Sequence, residues 1–107
     1  MELINLTPHA INIVCENMTR TIVPSGVVAR VSTVSVQVGE IDGFPIYQTQ
    51  YGELEGLPEP KVDTMYIVSA MAAAAAKAAG RDDILSPGEL IRDEAGQPIG
   101  CRGLVRW

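Results

Sequence analysis

The chain has 107 residues, 47% of them apolar, and a formal charge of −5 from 13 acidic and 8 basic side chains. That length is one domain, residues 1–107, with enough apolar side chains to bury a core without metals or disulfides. The acidic balance argues against direct nucleic-acid binding and against an anionic membrane surface, because both need a surplus of lysine and arginine. No apolar run approaches the ~20 residues of a spanning helix. Met1-Glu2-Leu3-Ile4 lacks the basic and apolar regions of a signal peptide, so the expected location is a cytosol. Cys15 and Cys101 match no CxxC spacing and are expected as buried free thiols.

Residues 3–50 carry strand signals. Ile4 and Leu6 come first, then Ile11 and Ile13 alternating with Asn12 and Val14, then Thr21-Ile22-Val23 ahead of the turn signal Pro24-Ser25-Gly26. Over residues 27–38 β-branched side chains dominate, with Val34, Val36 and Val38 on one face and Ser35 and Gln37 on a wet one. Asp42-Gly43 predicts a tight hairpin turn joining residues 36–38 to residues 46–49. Residues 52–60, with Gly52, Gly56, Pro58 and Pro60 among three glutamates, predict a stiff loop.

The β-forming run Met65-Tyr66-Ile67-Val68 then meets Ser69, an N-cap residue, and passes into an alanine-rich helix stopped by Gly80. Ile84-Leu85 follows, then short strands about Leu90-Ile91 and Ile99-Gly100-Cys101 on either side of a turn at residues 93–97. Many strands and one helix predict an α+β domain, a mainly antiparallel or mixed sheet with the helix packed on it. Ala72 to Ala76 form no bulky stripe, so Met71 is expected to anchor the helix. A flat alanine face on a small domain also suits contact with a second copy, so a homo-oligomer is expected.

Groups with possible chemistry are few. His9 is the lone histidine and reads as a turn residue. GxSxG, GxxxxGK[ST] and GxGxxG are absent, and a cysteine nucleophile would have only His9 as its base, so the expectation is a non-enzyme without a cofactor. Asp82 and Asp83 would point to opposite sides of a strand, which suits a cap and an ion pair with Arg81 better than acid–base work. The helix start is different. Ser69 and Ala70 open it, where free N–H groups and the helix dipole receive anions. Arg81, Asp82 and Arg102 are the charged companions. Arg81 follows about eleven helical residues, some 16 Å, after Ser69, so it would serve this site only from a neighbouring subunit. Arg102 is the preferred cation, since a guanidinium grips phosphate through two parallel hydrogen bonds.

Asn5-Leu6-Thr7-Pro8-His9, Pro24-Ser25-Gly26 with Ala29-Arg30-Val31, Tyr51-Gly52 and Gly56-Leu57-Pro58 with Pro60 recur in order with Tyr66-Ile67-Val68-Ser69, Arg81-Asp82-Asp83, Arg92-Asp93 and Gly100-Cys101-Arg102-Gly103-Leu104. Over nearly its whole length the chain thereby resembles a family of small phage and prophage proteins, from which the run at residues 72–76 departs. The resemblance implies a viral or prophage origin and a bacterial host's cytoplasm; it carries over no activity and no binding residues. The expected function is that of a viral accessory protein sequestering a small anionic or nucleotide-derived signal of host defence. Two alternatives stand beside it: a protein that inhibits a host enzyme through its acidic surface, and a minor virion component.

Overall fold

Tyr66, Ile67 and Val68 are consecutive, and none is more than 1% exposed. Successive side chains of a strand point to opposite sides, so this segment is covered on both faces. The computed structural model describes all of residues 1–107 and shows what covers it. In chain order the elements are β1 (Glu2–Asn5), β2 (Ile11–Cys15), β3 (Met18–Ile22), β4 (Arg30–Ile41), β5 (Phe44–Glu55), β6 (Thr64–Ile67), α1 (Ala70–Ala78), β7 (Ile84–Pro87), β8 (Leu90–Arg92), β9 (Pro98–Cys101) and β10 (Leu104–Arg106).

One sheet has the order β1-β6-β7-β10, with β1, β6 and β7 parallel and β10 antiparallel. Parallel neighbours need a crossover, and α1 supplies it between β6 and β7. A second sheet has the order β3-β2-β9-β8, in which β2 runs parallel to β9 and the outer pairs are antiparallel. The fold is α+β with mixed sheets. Tyr66, Val68 and Ile84 pack with Leu6, Ala29 and the helix alanines on one side of the first sheet. Ile67 packs with Ile11, Ile13, Ile22 and Cys101 on the other. The layers are therefore helix, sheet, sheet, with an apolar cluster in each gap.

The helix is seated differently from the sequence expectation. Met71 is 48% exposed and anchors nothing, whereas Ala72, Ala73 and Ala76 are each 0% exposed. Their small side chains let the backbone lie close on the sheet. Those three alanines are covered within the chain, whereas Ala74 of the same run is exposed. At the N-terminus Ser69 is the cap, its Oγ accepting from the Ala72 N–H at 3.3 Å. At the C-terminus Gly80 (φ 89°) donates to Lys77 and Arg81 donates to Ala76, which closes the last turn.

The hairpin β4–β5 forms a two-stranded sheet of its own. Its turn is the expected one: Asp42 and Gly43 both have positive φ, 52° and 83°, the conformation that a two-residue hairpin loop of matching twist requires. The strands are longer than expected. Residues 52–55, read from sequence as loop, pair with the start of β4 through Val31↔Leu54 and Arg30↔Glu55, and Leu54 packs on the helix-side cluster. Beyond that base the ribbon is uncovered on both faces. Val34 and Val38 are 59% and 56% exposed, so the valine face expected to be covered is wet as well. The arm lengthens the molecule to 55 Å and raises its radius of gyration to 16.8 Å, against about 13 Å for a compact chain of this size. Cys101 is buried as expected but Cys15 is exposed; both thiols are free. No helix is long and apolar enough to cross a membrane.

Candidate functional site

Asn5 ends β1 at 1% exposure, and a buried amide must find partners for its donors and its acceptor. Its Nδ2 donates to the carbonyls of His9 (2.8 Å) and Ile22 (3.0 Å), and its Oδ1 accepts from the Thr7 N–H (2.9 Å) and hydroxyl (2.6 Å). One side chain thus fixes the turn Thr7-Pro8-His9 and ties it to the end of β3. The backbone completes the anchor: Ser25 donates to the Asn5 carbonyl at 3.0 Å and Ala29 to that of Leu6 at 2.9 Å. This brings the segments around Pro24-Ser25 and Ala29 onto the same corner.

That turn lines a cleft of about 530 Å³. Pro98, Ile99, Gly100 and Cys101 of β9 line it as well, together with Ser69, Pro87 and Leu90. The two sheet strands meet tightly here. Asn12 Nδ2 donates to the Ile99 carbonyl at 3.3 Å, and a Cβ on Gly100 would stand 3.0 Å from the Asn12 carbonyl oxygen. None of the 13 lining residues is Asp, Glu, Lys or Arg, so the lining itself sets no carboxylate against an anion although the chain as a whole is acidic. Its polar groups are Thr7, His9, Asn12 and Ser69, set among proline, isoleucine and leucine. Ser69 serves the Ala72 N–H with its hydroxyl and the Ala73 N–H with its carbonyl. The N–H groups of Ala70 and Met71 remain the first-turn donors without an acceptor inside the helix. The arrangement can hold a flat, partly apolar molecule with an acidic group turned toward the helix start.

The structure scatters the other residues singled out from sequence. Ala70 is exposed next to Ser69 and outside the cleft lining. Arg81 sits at the far end of the helix, gripping Asp83 through Nε–Oδ1 (3.0 Å) and Nη2–Oδ2 (2.8 Å), with its guanidinium 5.9 Å from the centre of the Tyr66 ring. The hydrogen bonds that Arg81 donates to Asp83 hold its pKa above the ordinary value, against the opposing effect of partial burial. Arg81 borders a separate shallow groove with Leu54, Leu57 and Ala79. Asp82 is exposed, and its carbonyl accepts from Arg106 at 3.5 Å. Arg102 is exposed in the turn after β9; its N–H donates to the Glu89 carbonyl at 2.8 Å, and it follows Cys101 without lining the cleft.

Of those residues only Ser69 belongs to the cleft. The sequence reading missed Asn12, Pro87, Leu90 and Ile99, which come together only because β2 pairs with β9, and it took His9 for a bare turn residue. The available signal was Asn5 two residues before Thr7, the spacing at which an asparagine side chain closes a local turn. No protein-family model, curated protein or solved structure matches the chain.

Proposed function

We propose that this chain is a non-enzymatic viral accessory protein that sequesters a small anionic, nucleotide-derived signal molecule in the cleft at the start of α1. The observation that supports this reading is the cleft's composition: apolar walls beside an open helix start, with no carboxylate in the lining of an acidic chain. Its volume falls within the usual ~300–1,000 Å³ of small-molecule sites. In this reading a base lies against Ile99, Leu90 and the neighbouring prolines, and a phosphate at the Ser69 edge reaches past the lining toward the N–H groups of Ala70 and Met71. Arg102, one residue beyond Cys101, is the cation that closes on the outer phosphate oxygens.

Calorimetric titration with a panel of linear and cyclic nucleotides tests it. At least one is expected to bind, and Ile99→Asp, which places a carboxylate in the lining at a 53% exposed position, is expected to weaken that nucleotide tenfold or more. Heat-silent titrations across the panel would end this reading. A second reading, inhibition of a host enzyme, is favoured by one observation: Glu40, Asp42, Glu53 and Glu55 stand on the β4–β5 arm against the single cation Arg30. Such a fringe suits a basic surface that ordinarily holds nucleic acid.

A further inference from the structure

Strand register sorts the arm's side chains onto two faces of different chemistry. The pairs Val34↔Gln50, Val36↔Gln48, Gly39↔Ile46 and Ile41↔Phe44 share one face. The pairs Thr33↔Tyr51, Ser35↔Thr49, Gln37↔Tyr47 and Glu40↔Pro45 share the other. The irregularity between Gln37 and Gly39 inserts Val38 without a partner of its own, next in line after Val36 on the first face. That face therefore carries Val34, Val36, Val38, Ile41, Phe44 and Ile46, with Gly39, Gln48 and Gln50 among them, and no charged residue. Phe44 is 70% and Ile41 63% exposed, and only Val36 is half-buried. A two-stranded ribbon is at best marginally stable alone in water, and this one lies uncovered beyond its base.

We propose that two copies of this chain stack their β4–β5 ribbons face to face through these six residues, making a four-stranded sandwich about a two-fold axis. Three features favour a second copy over a different partner. The face is mainly apolar, so one copy can cover its counterpart on another in the way an isologous contact requires. It holds no charge, so two acidic chains meet there without placing carboxylates together; Glu40 is directed to the opposite face. Covering six such side chains on both copies removes on the order of 1,000 Å² from water, the lower bound of a specific interface. A partner recruited by the arm's carboxylates would use the opposite face and the base and leave this one wet.

Sedimentation equilibrium of the full chain tests the contact. A concentration-dependent dimer is expected, and Val36→Asp is expected to weaken it at least a hundredfold, while Ser35→Asp, one position away on the other face, changes it less than threefold. Near-ultraviolet circular dichroism of Trp107, which lies in the body, confirms that each variant remains folded. In a Cys15→Ser background, Val36→Cys is expected to form an interchain disulfide on mild oxidation and Ser35→Cys is not. A monomer at every concentration, a dimer indifferent to Val36→Asp, or equal cross-linking from both positions would each overturn the proposal.

Discussion

Val68 and Val34 are the same residue in strand-like backbone, yet one is 1% and the other 59% exposed. The first follows β6 in the layered body, where the central strands have neighbours on both edges and an apolar cluster on each face. The second sits on the arm, where the only partner is the other strand. In the body, β-branched side chains fill the gaps on either side of the β1-β6-β7-β10 sheet and stabilise the monomer; on the arm the same side chains leave apolar surface unspent. The difference teaches that residue type sets what a strand needs, and topology decides whether the chain supplies it or a partner must.

That contrast is sharpest at Tyr66, which is 0% exposed and donates its hydroxyl to the Glu59 carbonyl at 2.9 Å. Tyr66→Ala is expected to destabilise the monomer by about 3–5 kcal/mol, read from chemical denaturation of dilute protein. Next comes Asn5→Ala, which removes a donor from the Ile22 carbonyl and the acceptor of the Thr7 N–H and leaves the His9 carbonyl to the Thr7 hydroxyl alone; about 2–3 kcal/mol is expected, together with faster hydrogen exchange in residues 7–9. Ser69→Ala should lose about 1 kcal/mol and Ser69→Asp almost nothing, because a carboxylate caps the helix equally well. At the bottom of the scale, Val34→Ala is expected to move the dilute-protein midpoint by less than about 0.5 kcal/mol. A shift above 1 kcal/mol there would show that the arm is packed within the monomer and would dissolve the contrast between the two regions.

Local chemistry made parts of this structure legible from sequence. Asp42-Gly43 specified the hairpin because few dipeptides accept two positive φ angles, and Ser69 and Gly80 bounded the helix because each satisfies backbone groups there. The Arg81–Asp83 pair was readable because two residues of separation put a guanidinium within reach of a carboxylate. Strand order was not readable. Short strands such as β1, β2 and β9 share an apolar alternation that says which side is buried and nothing about which neighbour is paired. The candidate cleft fell out of reach for the same reason, since the β2–β9 pairing assembles it. Residues 52–55 were hidden by their composition: glycine and glutamate resemble loop until Val31 and Arg30 are found opposite them.

The register also dictates a timetable. Ile13 pairs with Cys101 and Leu3 with Met65, so neither sheet of the body can close until the ribosome has released residues from late in the chain. The β4–β5 hairpin needs only its own turn, and hairpins zip in microseconds. During synthesis, then, the arm can form after only the β2–β3 hairpin and before either sheet of the body is complete. Nascent chains on neighbouring ribosomes would present their apolar ribbons to each other before either body has formed.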